Sequence, residues 1–301
     1  MRSKNRVNEF PVLPSGGLVS VRTMRGCYAR PIAAASTTGH PFYAGIMTMR
    51  ESPNRPVTII TGGSRGIGAA IAVRLAAEGH DLVLTYRDRL ADAQGVQARC
   101  EAAGARVLLI QVDMGDLDAA AQVVPAAIAQ FGTVTGLVNN AGITARIGPF
   151  LDAPIEETEL VFRINVLAPT LLTQAAIAHM ATDRGGVGGA VVNISSGAAT
   201  SGSPNTYVTY AMSKAALNAL TIGASKEFGP VGVRVNTVSP GTTRTEIHAA
   251  AGRPDAPDER APGIPMRRPG EVHEIAGAVA YLLSDDASYT SGADIRITGG
   301  N

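Results

Sequence analysis

The chain of 301 residues predicts an α/β fold of the doubly wound kind, a mostly parallel seven-stranded sheet with helices on both faces. Three observations carry this. From residue 56 onward, short β-rich runs alternate with helical stretches of about 10 to 20 residues, the pattern of parallel βαβ units with right-handed crossovers. The runs are apolar along their length, as at residues 231–238, which suits strands covered on both faces. The first run also passes through a glycine-rich turn directly into a helix, in the order strand, tight turn, helix.

Each element can be placed in turn. Residues 56–60 form a short β-rich run, and the Ala-rich stretch 69–78 supplies the first helix. A second strand at 81–85, a helix at 90–103 and a third strand at 106–111 follow. Residues 117–131 read as one helix, 136–139 as the fourth strand and 160–180 as a long amphipathic helix. The fifth strand lies at 189–194, the next helix at 207–228 and the sixth strand at 233–238. A final helix at 271–283 precedes a seventh strand at 294–297. No internal repeat or linker divides residues 56–301, which are expected to be one domain.

Composition narrows the function classes. Hydrophobic residues make up 45% of the chain and charged residues 17%, with 34 glycines and a net charge of +1. That charge is uneven: residues 1–55 hold eight Lys or Arg against two acids, so the remainder is mildly acidic. A mildly acidic body has no electrostatic footprint for nucleic acid. Cys27 and Cys100 lack metal-ligand or redox spacing and read as free thiols in a reducing compartment. No metal is expected, because no His and Cys cluster is present. No apolar run approaches the ~20 residues that span a bilayer, so a soluble, cytoplasmic protein is expected. Residues 1–55, punctuated by Pro and Gly, read as a non-core extension, either dispensable, with Met47 or Met49 just before the first strand, or a transit-like segment.

The turn Thr61-Gly62-Gly63-Ser64-Arg65-Gly66-Ile67-Gly68 places glycine where backbone closes tightly, approaches a pyrophosphate and meets the helix. Its spacing is Gly-x-x-x-Gly-x-Gly, and the helix that follows offers unpaired N–H groups to phosphate. The end of the second strand reads Leu84-Thr85-Tyr86-Arg87, without the acid that grips NAD ribose hydroxyls. Arg87, with Arg65 in the turn, offers guanidinium to a 2′-phosphate, so NADP is favoured over NAD. Asp113, before Met114 at the end of the third strand, suits the adenine amino group, while Asp116 is the better helix cap.

The chemical residues sit further along. Tyr210 and Lys214 are four residues apart, on one helical face. Tyrosine is a weak acid, with a pKa of ~10, and a neighbouring lysine cation is expected to lower it. Asn193-Ile194-Ser195-Ser196 closes a strand, where parallel sheets present ligands, and a serine hydroxyl there can donate to a substrate carbonyl oxygen. The Asn193 sequon is read as accidental, on a buried strand end. No Gly-x-Ser-x-Gly elbow is present, which argues against a serine hydrolase.

With these motifs in one order, residues 56–300 resemble the short-chain dehydrogenase/reductase family, of the compact type that includes 3-oxoacyl carrier-protein reductases and glucose 1-dehydrogenase-like enzymes. The resemblance extends to Asn139-Asn140-Ala141-Gly142, to Pro240-Gly241 with Thr243 and Thr245, and to the tail 287–300. It implies a Rossmann-type fold binding NADP(H), with Gly62, Ser64, Arg65, Gly66, Ile67, Gly68, Tyr86, Arg87, Asp113 and Met114 on the adenosine and phosphate side. Asn140, Ala141, Gly142, Tyr210, Lys214, Pro240, Gly241, Thr243 and Thr245 would complete the cofactor site. It further implies a catalytic set of Asn165, Ser196, Tyr210 and Lys214, with Ser195 the alternative serine. In that scheme Tyr210 protonates a carbonyl oxygen, Ser196 hydrogen-bonds it, Lys214 binds ribose, and Asn165 holds a water of the proton relay. A ketone or 3-oxoacyl substrate is implied, with sugar or polyol oxidation, or a noncatalytic NADP-binding role, as alternatives. Residues 242–269 would form a lid, Arg146 is read as facing solvent, and the family pairs into dimers or tetramers.

Overall fold

The computed structural model of the protein describes residues 55–301, so the expectations for residues 1–54, Cys27 included, lie outside the described part. Seven strands form one sheet in the order β3-β2-β1-β4-β5-β6-β7, every pair parallel. They are β1 (Val57–Ile60), β2 (Asp81–Tyr86), β3 (Val107–Gln111), β4 (Gly136–Asn139), β5 (Gly189–Ile194), β6 (Val233–Pro240) and β7 (Asp294–Ile297). The direction of winding reverses between β1 and β4, and the carboxyl ends of the strands open a crevice at that switch point.

The two-residue period of the strands splits the core into two layers. Ile59, Val83, Leu137, Val191 and Val235 point to one face. There they meet α3 (Leu117–Ala120), α4 (Val123–Phe131), α6 (Ala168–Met180) and the C-terminal end of α8 (Val208–Phe228). Ile60, Leu82, Leu84, Val138, Val192 and Val238 point to the other face. They meet α1 (Gly66–Ala77), α2 (Leu90–Ala102) and α11 (Val272–Leu283). Because both faces are covered, the strands read as unbroken apolar runs.

Two helices depart from expectation. The stretch 117–131 is two helices, broken at Ala121 and Gln122, which places Pro125 in the first turn of α4, where its missing N–H costs no hydrogen bond. The helix expected at 160–180 begins earlier, with α5 (Ile155–Phe162), and runs through a π-turn at Arg163–Leu167 into α6. Pro169 has no N–H to give the Asn165 carbonyl, so the α-pattern fails there. The Ala168 N–H instead bonds the Arg163 carbonyl, one residue further back. This helix, Ile155–Met180, is also long and apolar enough to cross a membrane, contrary to the expectation that no such run exists. Its apolar side is core: Ile164, Leu172, Ala176, Ile177 and Met180 are buried against the sheet. Three short helices have no counterpart in the sequence expectations: α7 (Ala198–Ser201), α9 (Ile247–Ala250) and α10 (Ala256–Arg260).

Candidate active site

The glycine turn and the Asn-Asn-Ala-Gly segment meet across β1 and β4. Gly62 and Gly66 have φ of 66° and 54°, a region that L side chains rarely adopt. Gly68 answers a contact requirement: a Cβ there would lie 2.3 Å from the Gly62 carbonyl oxygen and 2.6 Å from Asn140 Nδ2. Asn140 Nδ2 donates to the carbonyls of Thr61 and Gly62 at 2.8 and 3.2 Å, while the Asn140 and Ala141 N–H groups donate to Thr61 Oγ1. Thr85 Oγ1 accepts from the Gly62 N–H at 3.0 Å. The turn is thus held from two neighbouring strands, and no side chain caps the first N–H groups of α1. Those donors and the positive end of the helix dipole suit a phosphate group.

Behind the turn, a buried amide chain fixes the strand ends. Asn139 Nδ2 donates to Asn193 Oδ1 at 2.8 Å and to Thr173 Oγ1 at 3.0 Å, and Asn193 Nδ2 donates to Thr221 Oγ1 at 2.9 Å. Asn193 is fully buried, so its sequon has no exposed acceptor amide.

A cavity of about 1060 Å³ runs along the carboxyl edge of the sheet. That is at the upper end of the ~300–1,000 Å³ of small-molecule sites, with room for a dinucleotide and a small second ligand. Of the expected residues, Gly62, Ser64, Arg65, Gly66 and Ile67 line it from the turn, and Tyr86, Arg87, Asp113 and Met114 from the ends of β2 and β3. Asn140, Ala141, Gly142, Ser196, Tyr210, Lys214, Pro240, Gly241, Thr243 and Thr245 line the rest. Gly68 and Asn165 do not. Gly68 is taken up by the contact between turn and helix. Asn165 is fully buried beneath the wall: its Oδ1 accepts from the Ile143 N–H at 2.9 Å, and its Nδ2 donates to the Ile143 carbonyl and to Ser213 Oγ. Asp113 accepts from the Gly115 N–H, and Asp116 caps α3 through the N–H groups of Asp118 and Ala119.

At one end of the cavity, Arg65 Nη1 and Arg89 Nη1 each donate at 2.8 Å to the same oxygen, Oε2 of Glu246. Arg87 is instead held by its neighbour Asp88, with Nε 2.7 Å from Oδ2. Arg89 escapes a search that stops at the end of the second strand. The signal for it is nonetheless present, since Arg89 directly precedes α2 and can reach back to the turn. Two guanidinium groups converging on one anionic oxygen, beside the free N–H groups of α1, fit the phosphates of a dinucleotide.

At the other end lie Tyr210 and Lys214, one turn apart on α8, both buried. The Ser196 side chain faces the Tyr210 hydroxyl closely enough to pull its pKa down. Ser196 Oγ also accepts from the Ala198 N–H at 3.1 Å. Ser195 is turned away, with Oγ donating to the Lys214 carbonyl at 3.0 Å. The geometry therefore separates the two serines, with only Ser196 facing the tyrosine. Lys214 Nζ donates to the Ile194 carbonyl at 2.8 Å and lies 5.6 Å from the Tyr210 ring centre. Gly142 gives it space: a Cβ there would be 3.3 Å from that ammonium and 3.1 Å from Asn165 Oδ1.

The expected lowering of the Tyr210 pKa is not what this arrangement produces. Removal from water pushes the hydroxyl up to about 12, against a downward pull from the Ser196 hydrogen bond, and Tyr207 adds to the rise. Burial likewise brings the Lys214 ammonium down to about 8. Both groups are thus shifted toward their neutral forms, a phenol that keeps its proton beside an ammonium that releases its own more readily than a lysine in water.

Segment 242–269 covers the site. Thr245 lies over Gly66, where an added Cβ would stand 3.7 Å from its Cγ2, and Gly241 fits against Thr298 so closely that a Cβ would meet its Cα at 2.8 Å. Arg146, on the rim, is paired with Glu157 at 2.9 Å, and its side chain is 55% exposed.

Residues 62–301 match the family model described as enoyl-(acyl carrier protein) reductase. The chain is similar to the uncharacterized oxidoreductase YgfF of Escherichia coli, with 40% identity over 244 residues, 81% of this chain and 99% of that protein. Among solved structures it is similar to a blue fluorescent protein from a metagenomic library in complex with NADPH. That likeness has a TM-score of 0.75 and 38% identity, covering 82% of this chain and 98% of the other. It is also similar to a short chain dehydrogenase from Burkholderia cenocepacia J2315 in complex with NADP. There the TM-score is 0.73 and the identity 36%, covering 81% and 97% of the two chains.

Proposed function

Because the chain belongs to the short-chain dehydrogenase/reductase family, oxidoreductases acting on CH–OH and C=O groups, we propose that residues 56–301 transfer hydride between NADP(H) and a carbonyl or alcohol substrate. Reduction of a ketone or 3-oxoacyl group is the favoured direction. The observation that carries this reading is the layout of one cavity. Two arginines converge on a single anionic oxygen at one end, and Ser196 and Tyr210 face each other beside Lys214 at the other. The NADP(H) held by two similar solved structures supports the choice of cofactor.

Bound, the nicotinamide supplies or accepts the hydride. Arg65 and Arg89 would hold the 2′-phosphate, displacing Glu246, and the N–H groups of Gly66 and Ile67 would hold the pyrophosphate. Asp113 would accept from the adenine amino group, and Lys214 would hold the nicotinamide ribose. Ser196 orients the substrate oxygen, and Tyr210 delivers the proton to it. A phenol pKa of about 12 ensures that the donor is protonated at neutral pH. Lys214, at about 8, is poised to restore that proton. Asn165 acts as a positioning residue, holding the Ile143 backbone and Ser213 in place beneath both.

The test is an initial-rate screen with NADPH against ketones, quinones, sugars and 3-oxoacyl thioesters, followed by absorbance of the reduced nicotinamide. Turnover of one class is expected, and Tyr210→Phe should lower it by about 10²–10⁴-fold while NADPH still binds. Equal turnover by Tyr210→Phe would remove the assigned proton donor. Tight NADPH binding with no turnover of any class would favour the noncatalytic reading. We also read the enzyme as a cytoplasmic homodimer or homotetramer, supported by apolar Leu160, Leu167, Met212 and Ile222 left exposed on the helices that carry Asn165 and Tyr210. Light scattering on the full chain measures that state.

A further inference from the structure

The charges lining the cavity are distributed unevenly once their partners are counted. Asp88, Asp113 and Glu246 all lie toward the adenosine end, engaged by Arg87, the Gly115 N–H, and Arg65 with Arg89. Away from the adenosine end the lining residues include no acidic side chain. They do include three arginines: Arg146, held by Glu157; Arg296, exposed and donating to the Asn301 carbonyl; and Arg260, partly buried at the end of α10 in the covering segment. Its neighbours in that segment are neutralised elsewhere: Asp258 is bound by Arg244, and Glu259 by Arg253. Among the described residues Arg260 itself forms no ion pair. Its one hydrogen bond goes to a phenol, from Nη1 to the Tyr207 hydroxyl at 3.2 Å, with the guanidinium carbon 5.8 Å from the Tyr207 ring centre. Four of its five N–H donors therefore remain for a ligand.

Tyr207 ties this cation to the reacting end. It caps α8 and meets Tyr210 edge-on, with ring centres 5.3 Å apart at 89°. His248 closes the third side, with Nε2 3.2 Å from the Thr243 carbonyl oxygen. Burial, then the Arg260 charge, holds its imidazole below the ordinary range, so it is neutral at pH 7 and adds no second charge. A half-buried guanidinium without an acidic partner, at the end of the cavity that holds no acidic side chain, is matched by an anion brought in by the substrate. One tyrosine ring lies between Arg260 and Tyr210, which puts that anion several bonds from the carbonyl and disfavours a 2-oxo acid.

We propose that Arg260 selects the substrate, and that the physiological substrate class is a short oxo acid whose carboxylate binds the Arg260 guanidinium while its ketone meets Ser196 and Tyr210. This rests on the redox reading of the site and narrows it.

The experiment compares 5-oxohexanoate with its methyl ester, using NADPH and the full chain as wild type, Arg260→Gln and Arg260→Lys. The wild type should prefer the acid by about 10- to 100-fold in kcat/KM, the range of one charge-assisted contact, expressed mainly in KM. Arg260→Gln should bring the acid-to-ester ratio close to one, and Arg260→Lys should keep part of it. A wild type that reduces the ester as well as the acid overturns the proposal and leaves the redox reading intact. The proposal also falls, with the redox reading still standing, if Arg260→Gln lowers both substrates alike, since damage to the covering segment does not alter the ratio. If neither is reduced, hexanoate and hexanamide are titrated calorimetrically. Hexanoate binding that Arg260→Gln abolishes upholds the anion site while the redox reading falls alone, and absence of such binding overturns the proposal.

Discussion

Replacing Lys214 with Met tests whether the site is as dry as its burial implies. Lys214 is 3% exposed, and its ammonium is lowered from an ordinary 10.5 to about 8 by desolvation. A lysine whose folded pKa lies below its unfolded value destabilises the fold while it is protonated in both states, that is, below pH 8. The penalty is relieved as pH rises from about 8 to 10.5, because there the unfolded chain binds more protons. A shift of this size corresponds to about 3 kcal/mol in full, of which about 2 kcal/mol is recovered by pH 9.5. Other groups titrate in the same window. Cys100, raised to about 11, loses stability above pH 9, and Tyr210, raised to about 12, loses it above pH 10. The informative quantity is therefore the difference between wild type and Lys214→Met, from which those contributions cancel. Urea unfolding of cofactor-free protein at pH 7 and 9.5 should show the wild type gaining about 2 kcal/mol on the variant. A difference that stays constant between these pH values would mean that Lys214 titrates as it does in water, and the account of the Tyr210 and Lys214 pair would fail with it.

Further outcomes follow from the same geometry. Arg89→Ala should weaken NADPH binding by about 10-fold or more, measured by fluorescence titration, and Arg87→Ala by less; the reverse order would restore Arg87 as the 2′-phosphate ligand. Gly68→Ala places a methyl against the Gly62 carbonyl and Asn140, which cannot both retreat, so it should cost about 1–3 kcal/mol in urea unfolding and impair NADPH binding. Unchanged stability would mean that the turn is looser than described. Cys100 is buried, with its thiol pushed up to about 11, so at pH 8 it should react with a thiol reagent only as fast as the protein opens. Rapid labelling of a Cys27→Ser variant in the native state would contradict that placement.

What the sequence makes legible depends on whether the cause is local. The succession of strands and helices along the chain, the glycine turn and the i, i+4 placement of Tyr210 and Lys214 follow from period, glycine and helix geometry, each visible in a few consecutive residues. The π-turn is legible in principle, because Pro169 cannot serve the Asn165 carbonyl, but its effect appears only when a proline is read against the acceptor four residues earlier. Arg89 is legible only by its place before α2, and Arg260 not at all, since their importance lies in what they pair with. Arg89 shares Glu246 with a residue of the first turn, and Arg260 matters because Asp258 and Glu259 are bound by other arginines. The direction of the Tyr210 shift is hidden for a related reason. Proximity to a lysine in sequence argues for a lowered pKa, but the sign is set by desolvation, which outweighs the downward pull of Ser196, and burial is a property of the whole fold. A residue's type and spacing thus establish that it can carry chemistry. Its charge state and its partners come from segments more than a hundred residues away, as Arg65 with Glu246 shows. The proposed roles of Arg89 and Arg260 turn on partners outside their own stretch of sequence, Glu246 for one and Tyr207 for the other, which is why these are the side chains whose replacement should be most informative.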